Sequence, residues 1–135
     1  MTGWTIVEPT QAIRDWARTE ATITATFAGR VYAGGLPASA TFPAATIRRI
    51  GGGLDDMVDV GLYQLDVWAS KASTAAEAAS VLAQVLGQAT NVDLGDDLVL
   101  AGATVTTVLA LPDPNPDLQR VTVTVQATTK SNTNA

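Results

Sequence analysis

The chain has 135 residues, a formal net charge of −5 (eight Lys and Arg against 13 Asp and Glu), and neither cysteine nor histidine. That length suits one domain with its own hydrophobic core. The missing residues exclude a disulfide framework and a thiolate zinc site, and they remove the commonest general base and transition-metal ligand. An acidic balance offers no electrostatic footprint for nucleic acid or an anionic membrane. No apolar run reaches the ~20 residues of a membrane span. The N-terminus lacks a basic stretch followed by an apolar core, so no signal peptide is expected. These features predict a soluble protein of a cytoplasm-like compartment.

Residues 1–7 are expected to be a flexible terminus. Glu8-Pro9-Thr10 predicts a helix start, because proline's missing N–H costs nothing in a first turn and an acid suits the positive helix end. Ile13, Trp16 and Ala17 then fall at helical spacing, with Arg14, Asp15 and Arg18 on the wet side. The helix should fade near Thr19–Ala21. Thr22–Phe27 alternates Thr with Ile23, Ala25 and Phe27, which favours a short strand, although a run this short also fits a continued helix.

Arg30 to Gly53 reads RVYAGGLPASATFPAATIRRIGGG. Prolines and glycines bracket a β-branched run, so Ala44–Ile50 is predicted as a strand entered through an irregular crossing segment. A loop is expected over Gly51–Asp59, then a second strand over Val60–Ala69. Tyr63, Leu65, Val67 and Ala69 share one face of it, and Leu62, Gln64, Asp66 and Trp68 the other. The second face is only half apolar and reads as a surface partly covered by something else, such as another copy of the chain. The two strands suit an antiparallel hairpin with a long tip.

Thr74-Ala75-Ala76-Glu77 reads as a capping box opening a helix that runs to about Gly87, with Ala75, Ala79, Leu82 and Leu86 inward. Asn91–Asp97 reads as a polar turn. Leu98–Leu111 is β-rich, with a bend or bulge expected at Gly102. Three prolines within Leu111–Asp117 make a turn. Arg120–Thr128 alternates as a strand, with Val121, Val123, Val125 and Ala127 inward. Residues 129–135 are expected to be a flexible tail. The whole is one α+β domain, an antiparallel (mixed) sheet of about four strands with two helices packed on one face.

Little in the chain suggests chemistry. Asp55-Asp56 and Asp96-Asp97 are its adjacent acid pairs, but neither sits in a D-x-D-x-D-G loop, and solvated loop acids are the expected reading. Gly51-Gly52-Gly53 lacks the lysine and following helix of a phosphate-binding loop. Arg48 and Arg49 should point to opposite faces of a strand, as surface residues or ion-pair partners in a subunit contact. Asp66 is expected to pair with Arg48, Arg49 or a neighbouring subunit rather than to be a buried acid of raised pKa. No nucleophile–base set can be argued from spacing, so the expectation is no enzymatic activity, no cofactor and no metal.

In order, Arg30-Val31-Tyr32, Gly35-Leu36-Pro37, Phe42-Pro43, Arg48-Arg49-Ile50-Gly51-Gly52 and Leu65-Asp66-Val67-Trp68-Ala69 resemble the tail terminator (tail completion) family of long-tailed bacteriophages and prophages. The resemblance spans about Pro9 to Thr128. It implies a structural virion protein at the head-proximal end of the tail, assembled in the host cytoplasm. Such proteins form a ring, commonly of six copies, that caps the tail tube, stops its polymerisation and docks the head connector. The implied partners are therefore further copies of the chain, the tail tube protein and the head–tail connector protein, with no sequence-specific nucleic acid and no membrane. A neighbouring connector or stopper ring is the alternative, and a small metal- or ligand-binding domain a more distant one. A closed ring needs complementary edges on one subunit. On this reading Arg48, Arg49, Asp66 and Trp68 are candidates for subunit contacts, and the Gly51–Asp59 tip, with Gly51, Gly52, Gly53, Asp55 and Asp56, for the surface facing the tube.

Overall fold

A computed structural model describes residues 9–55, 58–95 and 97–131. Three helices, α1 (Pro9–Thr19), α2 (Ala21–Phe27) and α3 (Ala72–Gly87), accompany six strands. The strands are β1 (Val31–Ala33), β2 (Ala44–Asp55), β3 (Val58–Ala69), β4 (Thr90–Gly95), β5 (Leu98–Leu111) and β6 (Gln119–Ser131). They form one sheet in the order β1-β2-β3-β6-β5-β4, with β1 parallel to β2 and every other pair antiparallel. The expected class holds, but the count of about four strands and two helices was low.

The extra helix is Thr22–Phe27, where the strand reading fails. Ile23 and Phe27 lie four residues apart, so the same apolar residues that alternate along a strand also share one helical face. Both are buried there. Ala28 and Gly29 end the helix in left-handed conformations, with φ of 51° and 82°. Two short strands were missed. β1 is three residues long. β4 replaces the polar turn expected over Asn91–Asp97, because a short edge strand needs only Val92 and Leu94 packed on the core, and its Asn and Asp residues face out.

α3 begins at Ala72, two residues before the expected cap. Lys71 occupies the N-cap position without a side-chain bond, and Thr74 lies inside the first turn. The expected inner stripe is correct: Ala75, Ala79, Leu82 and Leu86 are buried, together with Ala78. The tail expected to be flexible from 129 continues β6 to Ser131, with Thr129 buried.

β3 shows the two faces predicted for it. Tyr63, Leu65, Val67 and Ala69 pack under the helices with Ile47, Val123, Val125, Ala127 and Leu100. α1 touches β1 and β2 at one edge of the sheet and β4 at the other, so the sheet curls around the helices. No helix among the described residues is long and apolar enough to cross a membrane.

The hairpin between β2 and β3 is regular much further than expected. The predicted loop Gly51–Asp59 is instead paired strand, down to Asp55 opposite Val58. A bulge at Ile50 separates Arg49 opposite Tyr63 from Gly51 opposite Leu62. Gly52 has φ +100°, and a Cβ there would lie 2.1 Å from the Val60 carbonyl oxygen, so a side chain does not fit.

Candidate functional site

Arg48 and Arg49 do lie on opposite faces, because neighbouring strand residues alternate. Arg49 faces the helix side. Its guanidinium grips the Asp59 carboxylate in a two-pronged bond, with Nη1 donating at 2.5 Å and Nη2 at 2.6 Å. Nε donates to the Gly51 carbonyl at 3.0 Å, and the group sits 5.8 Å from the Tyr63 ring centre. Such forked geometry is available to Arg and not to Lys. Arg48 points the other way, is exposed, and forms no ion pair among the described residues.

Asp66 does not pair with either arginine. It is buried on the face away from the helices, where the Thr122 hydroxyl donates to its Oδ1 at 2.6 Å. The Gln64 amide donates to its Oδ2 at 3.1 Å. Thr122 lies directly across the ladder from Asp66, whereas Arg49 is on the other face and Arg48 opposite Gln64. Strand register, not charge, therefore chose the partner.

Trp68 is half-buried. Its indole N–H donates to Asp113 at 2.9 Å, on the proline-rich turn after β5. Part of the covering predicted for this face thus comes from the chain itself. The Asp113 carboxylate also accepts from the Asn115 backbone N–H, and the Arg120 guanidinium donates to the Pro112 carbonyl. The Trp68 bond and then the Asn115 bond hold Asp113 below the usual carboxylate range against the opposing effect of burial, with a lesser contribution from the nearby Arg120 charge. Nothing in the sequence spacing signalled Asp113, Arg120 or Thr122, since each reaches its partner only through strand pairing.

Of the tip residues, Gly51, Gly52 and Gly53 lie in β2, and so does the backbone of Asp55. Asp56 and Asp96 lie outside the described residues. Among the described residues no three acidic side chains converge as a metal site would require.

Two stretches of sheet edge have no strand neighbour among the described residues. β1 covers β2 only at Ala45–Ile47, so Arg48–Asp55 runs on alone. β4 covers β5 only from Leu98 to Gly102, so Ala103–Leu111 does the same on the opposite side. Unpaired edges with exposed apolar side chains are ready templates for another chain.

The sequence model of Tail completion protein gp17 matches residues 11–130, nearly the whole folded region. The chain belongs to that family. It is a structural component of a phage tail and its place is in the virion tail, assembled with other tail and head components. The fold is shared with a chain from the virion of a native gene transfer agent particle, at TM-score 0.69 and 18% identity, covering 90% of this chain and 94% of that one. A second solved chain aligns at TM-score 0.44 and 12% identity over 88% of this chain and 87% of its own, too loosely to carry an argument. No curated protein matches the sequence.

Proposed function

We propose that this tail completion protein forms a ring, of six copies by the family resemblance, that caps the tail tube, stops its polymerisation and presents a docking surface to the head connector. The observation that carries the reading is the family match over residues 11–130. Two unpaired sheet edges on opposite sides of one subunit support it, since a ring needs a heterologous contact that closes. The role is structural, without catalysis. Arg48, Arg49, Asp66 and Trp68 lie at or near the subunit contact in this reading. Arg48 offers an exposed charge, while the other three hold the local surface in shape through bonds inside the chain. The end of the β2–β3 hairpin, from Gly51 to Asp59, faces the tube.

The test mixes purified protein with tail tubes and images the ends by electron microscopy. The expected result is a ring at one end of each tube and tubes that no longer elongate. Binding to filled heads and not to tubes would favour a connector or stopper ring instead. A hairpin shortened between Gly53 and Val58 should form rings that fail to stop elongation, and unchanged tube length control would remove the hairpin from the tube contact.

A further inference from the structure

The two free edges match each other. From β2 through β3 and β6 to β5 the strands alternate in direction, so β2 and β5 are antiparallel. A second copy set beside the first in the same orientation would bring its β2 against β5 and continue the alternation. The free segments are of similar length, Arg48–Asp55 and Ala103–Leu111. They sit at different heights, the β2 segment beside the lower part of β3 (Val58–Gln64) and the β5 segment, through β6, beside its upper part (Gly61–Trp68). Raising the second copy by three to four residues, ~10–13 Å at strand rise, lays one free segment along the other. β4 of one copy and β1 of the next then abut the two ends of the new pair and set its register.

In that register Ile50 of one copy falls opposite Val108 or Leu109 of the other, according to whether the shift is three residues or four. These are three of the four large apolar side chains that the fold leaves exposed among the described residues, at 44%, 51% and 56% exposure. Val108 lies across the ladder from buried Val123 yet is itself open. Arg48 falls opposite Ala110 or Leu111 and so approaches Asp113, a half-buried acid on the neighbouring turn that already accepts from Trp68. The Gly51 carbonyl already accepts from Arg49, so the pairing uses the groups on either side of it. The remaining edge is blunted, since β1 is three residues long and its Val31 carbonyl accepts a bond from Arg18 Nε at 2.8 Å.

We infer that copies of this chain join edge to edge, the Ala103–Leu111 segment of one pairing antiparallel with the Arg48–Asp55 segment of the next, with Ile50 set beside Val108 or Leu109. The inference rests on the ring reading and names its seam. A stagger of that size across four strands per copy tilts the strands by roughly 30°, close to what a closed sheet needs, so the same contact repeated can return on itself rather than run on as a filament.

Cysteine pairs test the seam in a chain that has none of its own. Ile50→Cys is combined in turn with Thr107→Cys, Val108→Cys, Leu109→Cys or Ala110→Cys. Within one chain β2 and β5 are three strand spacings apart, ~14 Å along the sheet, beyond disulfide reach. Under oxidation, at concentrations where native mass spectrometry shows self-association or on tube ends, at least one of the Val108 and Leu109 pairs should give a ladder of disulfide-linked oligomers that reductant collapses. Each single variant should stop at dimers. Self-association without cross-linking by any of the four pairs would overturn the seam and leave the ring standing. Monomers throughout, with and without tubes, would overturn both. As a second reading, Leu109→Lys should raise the concentration needed for assembly about tenfold or more, as an edge lysine does, with an unchanged melting temperature. Unaltered assembly of that variant would count against the seam.

Discussion

The two halves of β5 belong to one continuous strand and differ in nearly everything else. From Leu98 to Gly102 the strand has β4 on one side, β6 on the other and helices above, and Leu98, Val99 and Leu100 are buried. From Ala103 onward β6 is its one strand neighbour among the described residues; Ala103 and Val105 still pack against the core, while Val108 and Leu109 stand in solvent. The lower half is held by packing. The upper end of the sheet is held by directional polar bonds, Thr122 to Asp66 and Trp68 to Asp113. Exposure of an apolar strand residue is thus a property of what reaches it, and the stretch beyond Val105 is the part available to another molecule.

Substitutions can break that contrast. Leu100→Ala should cost the most, ~2–5 kcal/mol by the usual range for a fully buried leucine, read from the urea midpoint of unfolding. Gly61→Ala belongs to the same packed region. Its new Cβ would lie 2.6 Å from Tyr63 Cε2, and displacing that buried ring should cost ~1–3 kcal/mol, with a change in near-ultraviolet circular dichroism. Asp66→Ala probes the polar upper end. It strands the Thr122 hydroxyl and the Gln64 amide and should cost ~1–2 kcal/mol, while Thr122→Val made in the same background should recover part of the loss.

Acid should loosen the upper end further without unfolding the lower. Asp113 has its folded pKa depressed, so the stability it contributes is present above its unfolded value and is lost as pH falls through the folded one. Below about pH 4 the proline-rich turn should release Trp68. A tryptophan fluorescence change in that window, already present at neutral pH in Asp113→Ala, would show it. The smallest effect is expected at Leu109→Ala, within ~0.5 kcal/mol of the parent. A loss approaching that of Leu100→Ala would mean that the upper half of β5 is packed after all.

Much of this architecture was legible in the chain. The inner faces of β3 and β6 follow from strict alternation, and the inner stripe of α3 from helical spacing. The elements that were misread are short. Thr22–Phe27 satisfies both periods at once, and Val92 with Leu94 is too little apolar pattern to outweigh the Asn and Asp around it. The Gly51-Gly52-Gly53 run reads as a loop by composition, yet pairing with Val60–Leu62 keeps it extended. Of the candidate residues, the opposite faces of Arg48 and Arg49 followed from position alone. Their partners within the chain did not: Asp59 for Arg49, and Thr122 rather than an arginine for Asp66.

The sequence alone determined the class of fold, the faces of its long elements and, through the order of its short motifs, the family. Those depend on local period and on residue order, which a linear text carries. Tertiary structure decided which acid meets which donor, where β5 outruns its cover, and which two edges stay open. Such facts depend on strand order and register between distant segments, 56 residues apart for Asp66 and Thr122, and pairing at that range is set by the packing of the whole sheet against its helices.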